Sequence, residues 1–192
     1  MTTSFENLNA GDSIDGPKFA VSRESIRLFC DASLDYNPLH LDDDFMKGNF
    51  GKTHFGGIIM HGMNNFGLIS RMITDWAYPA GAVHRRLETR WVKPVKPGDT
   101  IQPTGIVKSK QVTKNSYWVL IDVMVRNQND EKVATGEAMV EFPHDAEASA
   151  ALASLLSTIE FLSHGHDGLA GDRGCALPYP RQKLLHFQSA RG

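Results

Sequence analysis

The chain has 192 residues, 41% of them hydrophobic, and a formal net charge of −2 at pH 7. This length accommodates one domain with a core, whereas two full domains would be a tight fit. The small net charge excludes the strongly basic field that attracts nucleic acids or anionic membranes. No positively charged leader and no apolar run of bilayer length is present, so we expect a soluble, cytoplasmic protein without a nucleic-acid or membrane partner.

The N-terminal segment predicts a turn-rich start, a short strand and one short helix. Residues 11–17 contain several turn formers, and Phe19–Val21 has the composition of a short strand. Ser22 is suited to cap a helix, and Ser25 occupies the position of the capping-box partner. Apolar residues then follow at roughly helical spacing, which predicts a helix that ends near Ser33.

A loop and a long helix follow. Residues 34–55 have Asn37-Pro38 and several glycines that break any long periodicity, so they predict a loop with short helical pieces. A helix is expected to begin near His61 or Gly62. Its apolar residues cover most of the helical wheel, which is typical of a buried helix. They are Met63, Phe66, Gly67, Leu68, Ile69, Met72, Ile73 and Trp76.

After residue 82 the hydrophobic residues recur at every second position, which is the period of a β-strand. Four strands are predicted, at residues 83–91, 100–112, 117–125 and 132–142, with turns between them. An antiparallel meander must bury one face, and the preceding apolar helix is the nearest surface that can cover it. The sequence therefore predicts an α+β fold in which an antiparallel sheet wraps around a central buried helix.

The C-terminal segment differs in composition from the rest of the chain. We expect the principal domain to span residues 1–142, and residues 143–192 to form a helix at 145–162 followed by a loose tail. His164 and His166, with Asp167, lack a rigid third ligand, so no metal site is expected there. Cys30 and Cys175 are far apart and are expected to be reduced thiols. His54 has no partner at a known spacing.

The segment from Asp35 to His40 has the clearest chemical content. Pro38 restricts its own backbone and that of Asn37, so the chain bends and can aim a carboxylate and an imidazole into one space. Such a pair can accept and donate protons near neutral pH. The same composition also suits an ordinary turn, in which Asp35 caps the backbone and His40 is a satisfied, partly buried histidine. Spacing alone leaves both interpretations open.

Three separated segments resemble the MaoC-type dehydratases, the (R)-specific enoyl-CoA hydratases, over about residues 10–142. They are Asp35-x-Asn37-Pro38-Leu39-His40-x-Asp42, Phe55-x-x-x-Ile59-x-His61-Gly62-Met63 and Val92-Lys93-Pro94-Val95-x-x-Gly98-Asp99. The resemblance implies a hot-dog fold, a long helix wrapped by an antiparallel sheet. It also implies that Asp35 and His40 hold a water over the double bond of a trans-2-enoyl thioester carried by CoA or acyl carrier protein. No cofactor is implied.

Two further site residues follow from the same segments. Asn37 would orient the loop or contact the water, although a simple turn-forming role is equally open. The first amides of a buried helix are unpaired, and the resemblance implies that the Gly62 N–H stabilises the thioester oxygen. The alternative for Gly62 is a glycine needed only for close packing. His61 is expected to begin the helix, not to act as a second catalytic histidine.

One position departs from the family pattern, because many relatives have glycine where this chain has Leu34. This difference affects the turn and puts the pocket width in doubt. Four apolar residues could line an acyl tunnel, although plain core packing is the more common role of such positions: Ile58, Met60, Met63 and Phe66.

Two other functions remain as alternatives. A hot-dog thioesterase would place its carboxylate on the central helix, which offers only Asp75 at its far end. A non-catalytic acyl-thioester-binding protein is the third possibility. Related hot-dog domains pair through their sheets, so at least a homodimer is expected.

Overall fold

The computed structural model describes residues 4–48, 55–114 and 116–144. Its helices and strands follow one another in the order that the sequence pattern indicates. In chain order they are β1 (Ser13–Asp15), β2 (Phe19–Ala20), α1 (Arg23–Ser33), α2 (Pro38–Leu41), α3 (Asp43–Lys47), α4 (Gly62–Ala77), a 3-10 turn (Tyr78–Ala80), β3 (Val83–Trp91), β4 (Thr100–Val112), β5 (Tyr117–Asn127) and β6 (Lys132–Phe142).

The strands form one antiparallel sheet in the order β1-β4-β5-β6-β3, and β2 also pairs with β4. Alternate residues of β4 and β5 are buried, as expected for strands with one face against a core. In β5 the buried residues are Val119, Ile121, Val123 and Val125. Among the described strands β3 pairs only with β6, so its other side is a free edge within that part of the chain.

Helix α4 packs against the sheet and has contacts with β1, β3, β4, β5 and β6. Its buried positions recur every three or four residues, which places them on one face of the helix. They are Asn64, Asn65, Leu68, Ile69, Met72, Ile73 and Ala77. Arg71 and Asp75 lie on the opposite, exposed face. The predicted central helix and the hot-dog architecture are therefore confirmed, but α4 is buried along one face and not on most of its sides, because Met63 and Gly67 are among its exposed positions.

Local sequence signals predicted most element bounds. Ser22 and Ser25 form the expected capping box at the start of α1. Strands β3, β4 and β6 have the predicted bounds, and β5 extends two residues further, to Asn127. The turn-rich start contains a strand that was not predicted, because β1 is defined by its pairing with β4 and not by its own composition.

The expected C-terminal helix and tail, and with them His164, His166, Asp167 and Cys175, lie outside the described residues. The division of the chain at residue 142 therefore stays a prediction. Within the described ranges, no helix has the length and apolar character that crossing a bilayer requires.

Candidate active site

The loop after α1 is shaped by side chains that bond to its own backbone. The Asp35 carboxylate accepts a hydrogen bond from the Asn37 N–H at 3.2 Å, and the Asn37 carbonyl oxygen Oδ1 accepts one from the Leu39 N–H at 3.1 Å. Asn37 thus caps α2, and Pro38 takes its first position, where a missing N–H costs nothing. The turn interpretation of Asp35 and Asn37 is therefore correct locally, and this turn also delivers His40 to the interior.

His40 is buried, with 7% of its surface exposed. Its Nδ1 lies 2.7 Å from the main-chain oxygen of Ile59. Because a carbonyl oxygen can only accept a hydrogen bond, Nδ1 carries the proton and Nε2 keeps a lone pair. The structure therefore holds His40 in the tautomer whose Nε2 can accept a proton.

His61 lies directly against His40. The two ring centroids are 3.5 Å apart and the ring planes differ by 22°. His61 is 2% exposed, and its Nε2 lies 3.2 Å from the main-chain oxygen of Asp35 and 3.9 Å from the carboxylate oxygen Oδ2. Burial lowers the pKa of His61 below its usual value, the neighbouring His40 lowers it further, and the Asp35 groups oppose this shift. His61 is therefore neutral at neutral pH.

His61 precedes α4 as expected, since it is the N-cap residue of the helix. The sequence pattern did not indicate that His61 also contacts both Asp35 and His40. Its position in the same motif as Gly62 was the available signal. The stack on His40 joins two segments that are distant in the sequence, and periodicity carries no information about such a contact.

Asp35, His40 and His61 offer three ligand atoms that all lie within 4.8 Å of one another. The donor types would suit a transition metal. However, the lone pair of an imidazole nitrogen lies in the plane of its ring. Since the two rings are stacked nearly parallel, their lone pairs do not converge on one point. This arrangement fits a metal ion poorly and suits proton transfer better.

Gly62 is the first residue of α4 and lies beneath Trp91, at the end of β3. The Trp91 indole N–H donates to the main-chain oxygen of Gly62 at 2.8 Å. A Cβ atom at position 62 would meet the indole ring at 2.7 Å, so the close packing requires glycine. Among the described residues, no acceptor bonds the Gly62 N–H. Both interpretations of Gly62 are therefore compatible with the structure, and Trp91 is a neighbour that the sequence did not indicate.

The apolar candidates for an acyl tunnel have different environments. Ile58 and Met60 are core residues, each 4% exposed, whereas Met63 is 52% exposed. Phe66 is half-buried. Asp75, the only carboxylate on α4, lies on the exposed helix face with Arg71 at 3.4 Å. It is remote from the loop that carries Asp35, so α4 contributes no carboxylate to this site.

Cys30 is buried beside the site, with its Sγ 3.7 Å from Nε2 of His61. Burial raises the pKa of this thiol, so it is protonated and not a nucleophile at neutral pH. The expectation of a structural, reduced thiol agrees with this environment. His54 lies outside the described residues.

The fold and these contacts define a hot-dog domain in which one carboxylate and two histidines meet at the start of the central helix. The family model described as the MaoC like domain matches residues 6–129. The chain belongs to this family.

Similar proteins agree with this assignment. An (R)-specific enoyl-CoA hydratase from Rhodospirillum rubrum is 32% identical over 111 residues, which are 56% of this chain and 74% of the relative. A mitochondrial 3-hydroxyacyl-[acyl-carrier-protein] dehydratase from Arabidopsis thaliana is 32% identical over 126 residues, 64% of this chain and 71% of the relative. An unliganded R-hydratase from Pseudomonas aeruginosa superposes with a TM-score of 0.62 at 29% identity, over 73% of this chain and 86% of that structure. The protein is therefore a hydro-lyase, a hydratase or dehydratase.

Proposed function

We propose that this protein interconverts trans-2-enoyl thioesters and (R)-3-hydroxyacyl thioesters by adding or removing water. The observation that carries the proposal is the convergence of Asp35 and His40, together with His61, beside the first turn of α4. The relatives named above support the same reaction type. We propose CoA or acyl carrier protein as the carrier of the acyl group, because one of these relatives is named for CoA and the other for acyl carrier protein.

His40 acts as the base in the direction of hydration. Its Nδ1–H is engaged with Ile59, so Nε2 takes a proton from the bound water as the water oxygen bonds to C3. The imidazolium then gives the proton to C2 on the same face of the double bond. The electron pair that had moved onto the thioester oxygen returns at this step, and the thioester carbonyl re-forms. The Asp35 carboxylate accepts a hydrogen bond from the second O–H of the water and so orients the water. Asn37 shapes the turn that carries Asp35. No cofactor is needed in this sequence of steps.

The thioester oxygen gains negative charge when water adds to C3. The Gly62 N–H is an unpaired amide at the positive end of the α4 dipole, which suits a donor to that oxygen. The absence of a side chain at position 62 serves the packing of Trp91, because the indole ring fills the space that a Cβ would occupy. We propose that Gly62 supplies this hydrogen bond.

The assembly that we propose is a homodimer in which two β3 edges pair. β3 is a nine-residue strand, one edge of which pairs with no other described strand, and long free edges favour association. The proposed setting is the acyl-thioester metabolism of the cytoplasm. Sedimentation would show a mass of twice the monomer, and a monomeric mass across a wide concentration range would contradict the dimer.

The function is tested by incubating the protein with crotonyl-CoA and following the loss of the enoyl thioester absorbance. Asp35→Asn and His40→Ala should each reduce kcat/KM by about 100-fold or more, because each removes a group that handles the water. Asp44→Asn is the matched control. This carboxylate belongs to the same region but is largely exposed, with its side chain paired to Lys47.

Retained activity in both the Asp35 and His40 variants, with folding unchanged, would contradict the proposed roles. The product also decides the reaction type. Release of free CoA instead of hydroxyacyl-CoA would indicate a thioesterase, and binding without turnover would indicate the non-catalytic alternative.

A further inference from the structure

Two buried polar atoms near the start of α4 have no hydrogen-bond partner among the described residues. They are Nδ1 of His61 and Oδ1 of Asn65. Both residues are almost completely buried, His61 at 2% and Asn65 at 3% exposed. His61 is the N-cap of α4 and Asn65 is its fourth residue, so both lie at the first turn of the helix. Because buried polar atoms are nearly always satisfied, each of the two atoms requires a donor, and their common place at this turn allows one donor to serve both.

Both atoms are hydrogen-bond acceptors. Nε2 of His61 lies 3.2 Å from the main-chain oxygen of Asp35, which can only accept, so Nε2 carries the proton. Burial lowers the pKa of His61 and keeps the ring neutral, which leaves a lone pair on Nδ1. Oδ1 of Asn65 is an amide carbonyl oxygen and also accepts. The missing partner must therefore donate two hydrogen bonds.

A water molecule has two donor hydrogens, and buried waters occur where two or more polar groups lack a protein partner. We infer that one internal water bridges His61 and Asn65, and that both residues position the reactive pair Asp35–His40. The chain of hydrogen bonds then runs from Asn65 through the water and His61 to the main chain of Asp35. The positioning role rests on the proposed function, whereas the water bridge does not.

The consequence for the site comes from the two contacts of the His61 ring. Its edge holds the backbone of Asp35, and its face packs against His40 at 3.5 Å. The imidazole is rigid and turns only about its Cβ–Cγ bond. A hydrogen bond at Nδ1 therefore also limits the orientation of the ring edge at Asp35 and of the ring face at His40. Asn65 therefore acts through His61 and touches neither substrate nor reacting atoms.

Asn65→Leu tests this inference, because leucine has a similar volume but offers no acceptor. We expect kcat to fall about 10-fold while KM changes less than about two-fold, since ground-state binding is not involved. Asn64→Leu is the matched control. Asn64 is the adjacent buried asparagine but has no buried, unpartnered atom, so kcat should stay within about two-fold of the wild type.

A second pair of variants separates positioning from simple packing at His61. His61→Phe keeps a ring against His40 but removes the Nε2–H donor, and should lower kcat about 10- to 100-fold. His61→Gln can place an amide N–H near the position of Nε2 and should recover part of this loss. Failure of His61→Gln to exceed His61→Phe would overturn the donor role.

Nitrogen NMR of the wild-type protein tests the water bridge without any substrate. We expect the His61 signals of a neutral ring with its proton on Nε2 and a hydrogen-bonded Nδ1, and Asn65→Leu should shift the Nδ1 signal. A proton on Nδ1, or no shift in Asn65→Leu, would overturn the bridge. Absence of hydration by the wild-type protein would overturn the proposed function and the positioning role, and the NMR result would still decide the bridge.

Discussion

The two halves of α4 bury the same face of one helix but differ in chemistry. The first half buries two polar residues, Asn64 and Asn65, beside two apolar ones, whereas the second half buries only the apolar residues Met72, Ile73 and Ala77. Burial of polar groups adds little to stability unless each is hydrogen-bonded, while apolar burial stabilises directly. The comparison indicates that the start of α4 serves the geometry of the site through Gly62 and Asn65, whereas the second half serves the stability of the fold.

The strongest test of this difference is Gly62→Ala. The new methyl group would meet the Trp91 ring at 2.7 Å, so the start of α4 and its N–H must move away from the substrate. We expect kcat/KM for crotonyl-CoA to fall about 10- to 100-fold, which is the range for a displaced oxyanion donor. Steady-state kinetics would measure the change.

Gly67→Ala is the control within the same helix. An added Cβ at position 67 meets no atom within 4 Å, and alanine favours a helix over glycine. The free energy of unfolding should therefore rise by about 0.5–1 kcal/mol, with kcat/KM unchanged. An equal loss of activity in the two variants would show that α4 responds as a whole, contrary to the comparison.

Ile73→Ala tests the second half of the helix. Ile73 is fully buried, so its truncation removes apolar contacts and leaves a cavity. We expect the free energy of unfolding to fall by about 2–5 kcal/mol in urea titrations, while kcat per folded molecule changes little. A large fall in kcat at a temperature where the variant is folded would contradict the division of roles.

The pH dependence of stability tests the buried, neutral state of His61. Burial lowers the pKa of His61 and of His84 from the usual 6.5, so the unfolded chain binds these protons first. The contribution of the two neutral histidines to the free energy of unfolding is complete above about pH 6.5. It is lost as the pH falls below that value, by at most about 1.4 kcal/mol per pH unit for each histidine.

Urea unfolding from about pH 7.5 to about pH 5 would measure this slope. His61→Phe should remove its part of the pH dependence, and His84→Gln should remove the other part. A slope in His61→Phe that equals the wild-type slope would show that His61 is not the group held neutral at the start of α4.

Leu34→Gly has the smallest expected effect and concerns the loop that faces the first half of α4. Leu34 ends α1 with φ 59° and ψ 21°, in the left-handed region, and is 76% exposed. Glycine adopts this conformation without steric cost, so we expect the free energy of unfolding to rise by about 0.5–1 kcal/mol. Thermal unfolding would detect the change.

Leu28→Gly is the matched control, since Leu28 is also exposed, at 62%, but lies inside α1. Glycine there should lower the free energy of unfolding by about 1 kcal/mol. The same sign in both variants would contradict the strain assigned to Leu34. This pair of variants therefore measures the local steric cost of the left-handed backbone at Leu34.

Several features of the fold could be predicted because their causes are local. Ser22 and Ser25 cap α1 through neighbouring backbone groups, and Pro38 begins α2 because its φ suits a first helical turn. The alternation in β4 and β5 follows from having one face against a core. The short strand β1 has no such signal, because only its pairing with β4 defines it.

Motifs and hydrophobic periodicity are properties of consecutive residues, so they were enough to predict the family, the order of the elements and the segment that holds Asp35 and His40. Three features appeared only in the folded structure: His61 stacks on His40, Trp91 covers Gly62, and Oδ1 of Asn65 is buried without a hydrogen-bond partner among the described residues. These contacts join residues from different segments, or depend on how completely a helix face is enclosed. Both depend on packing in three dimensions, which no local pattern of residues encodes.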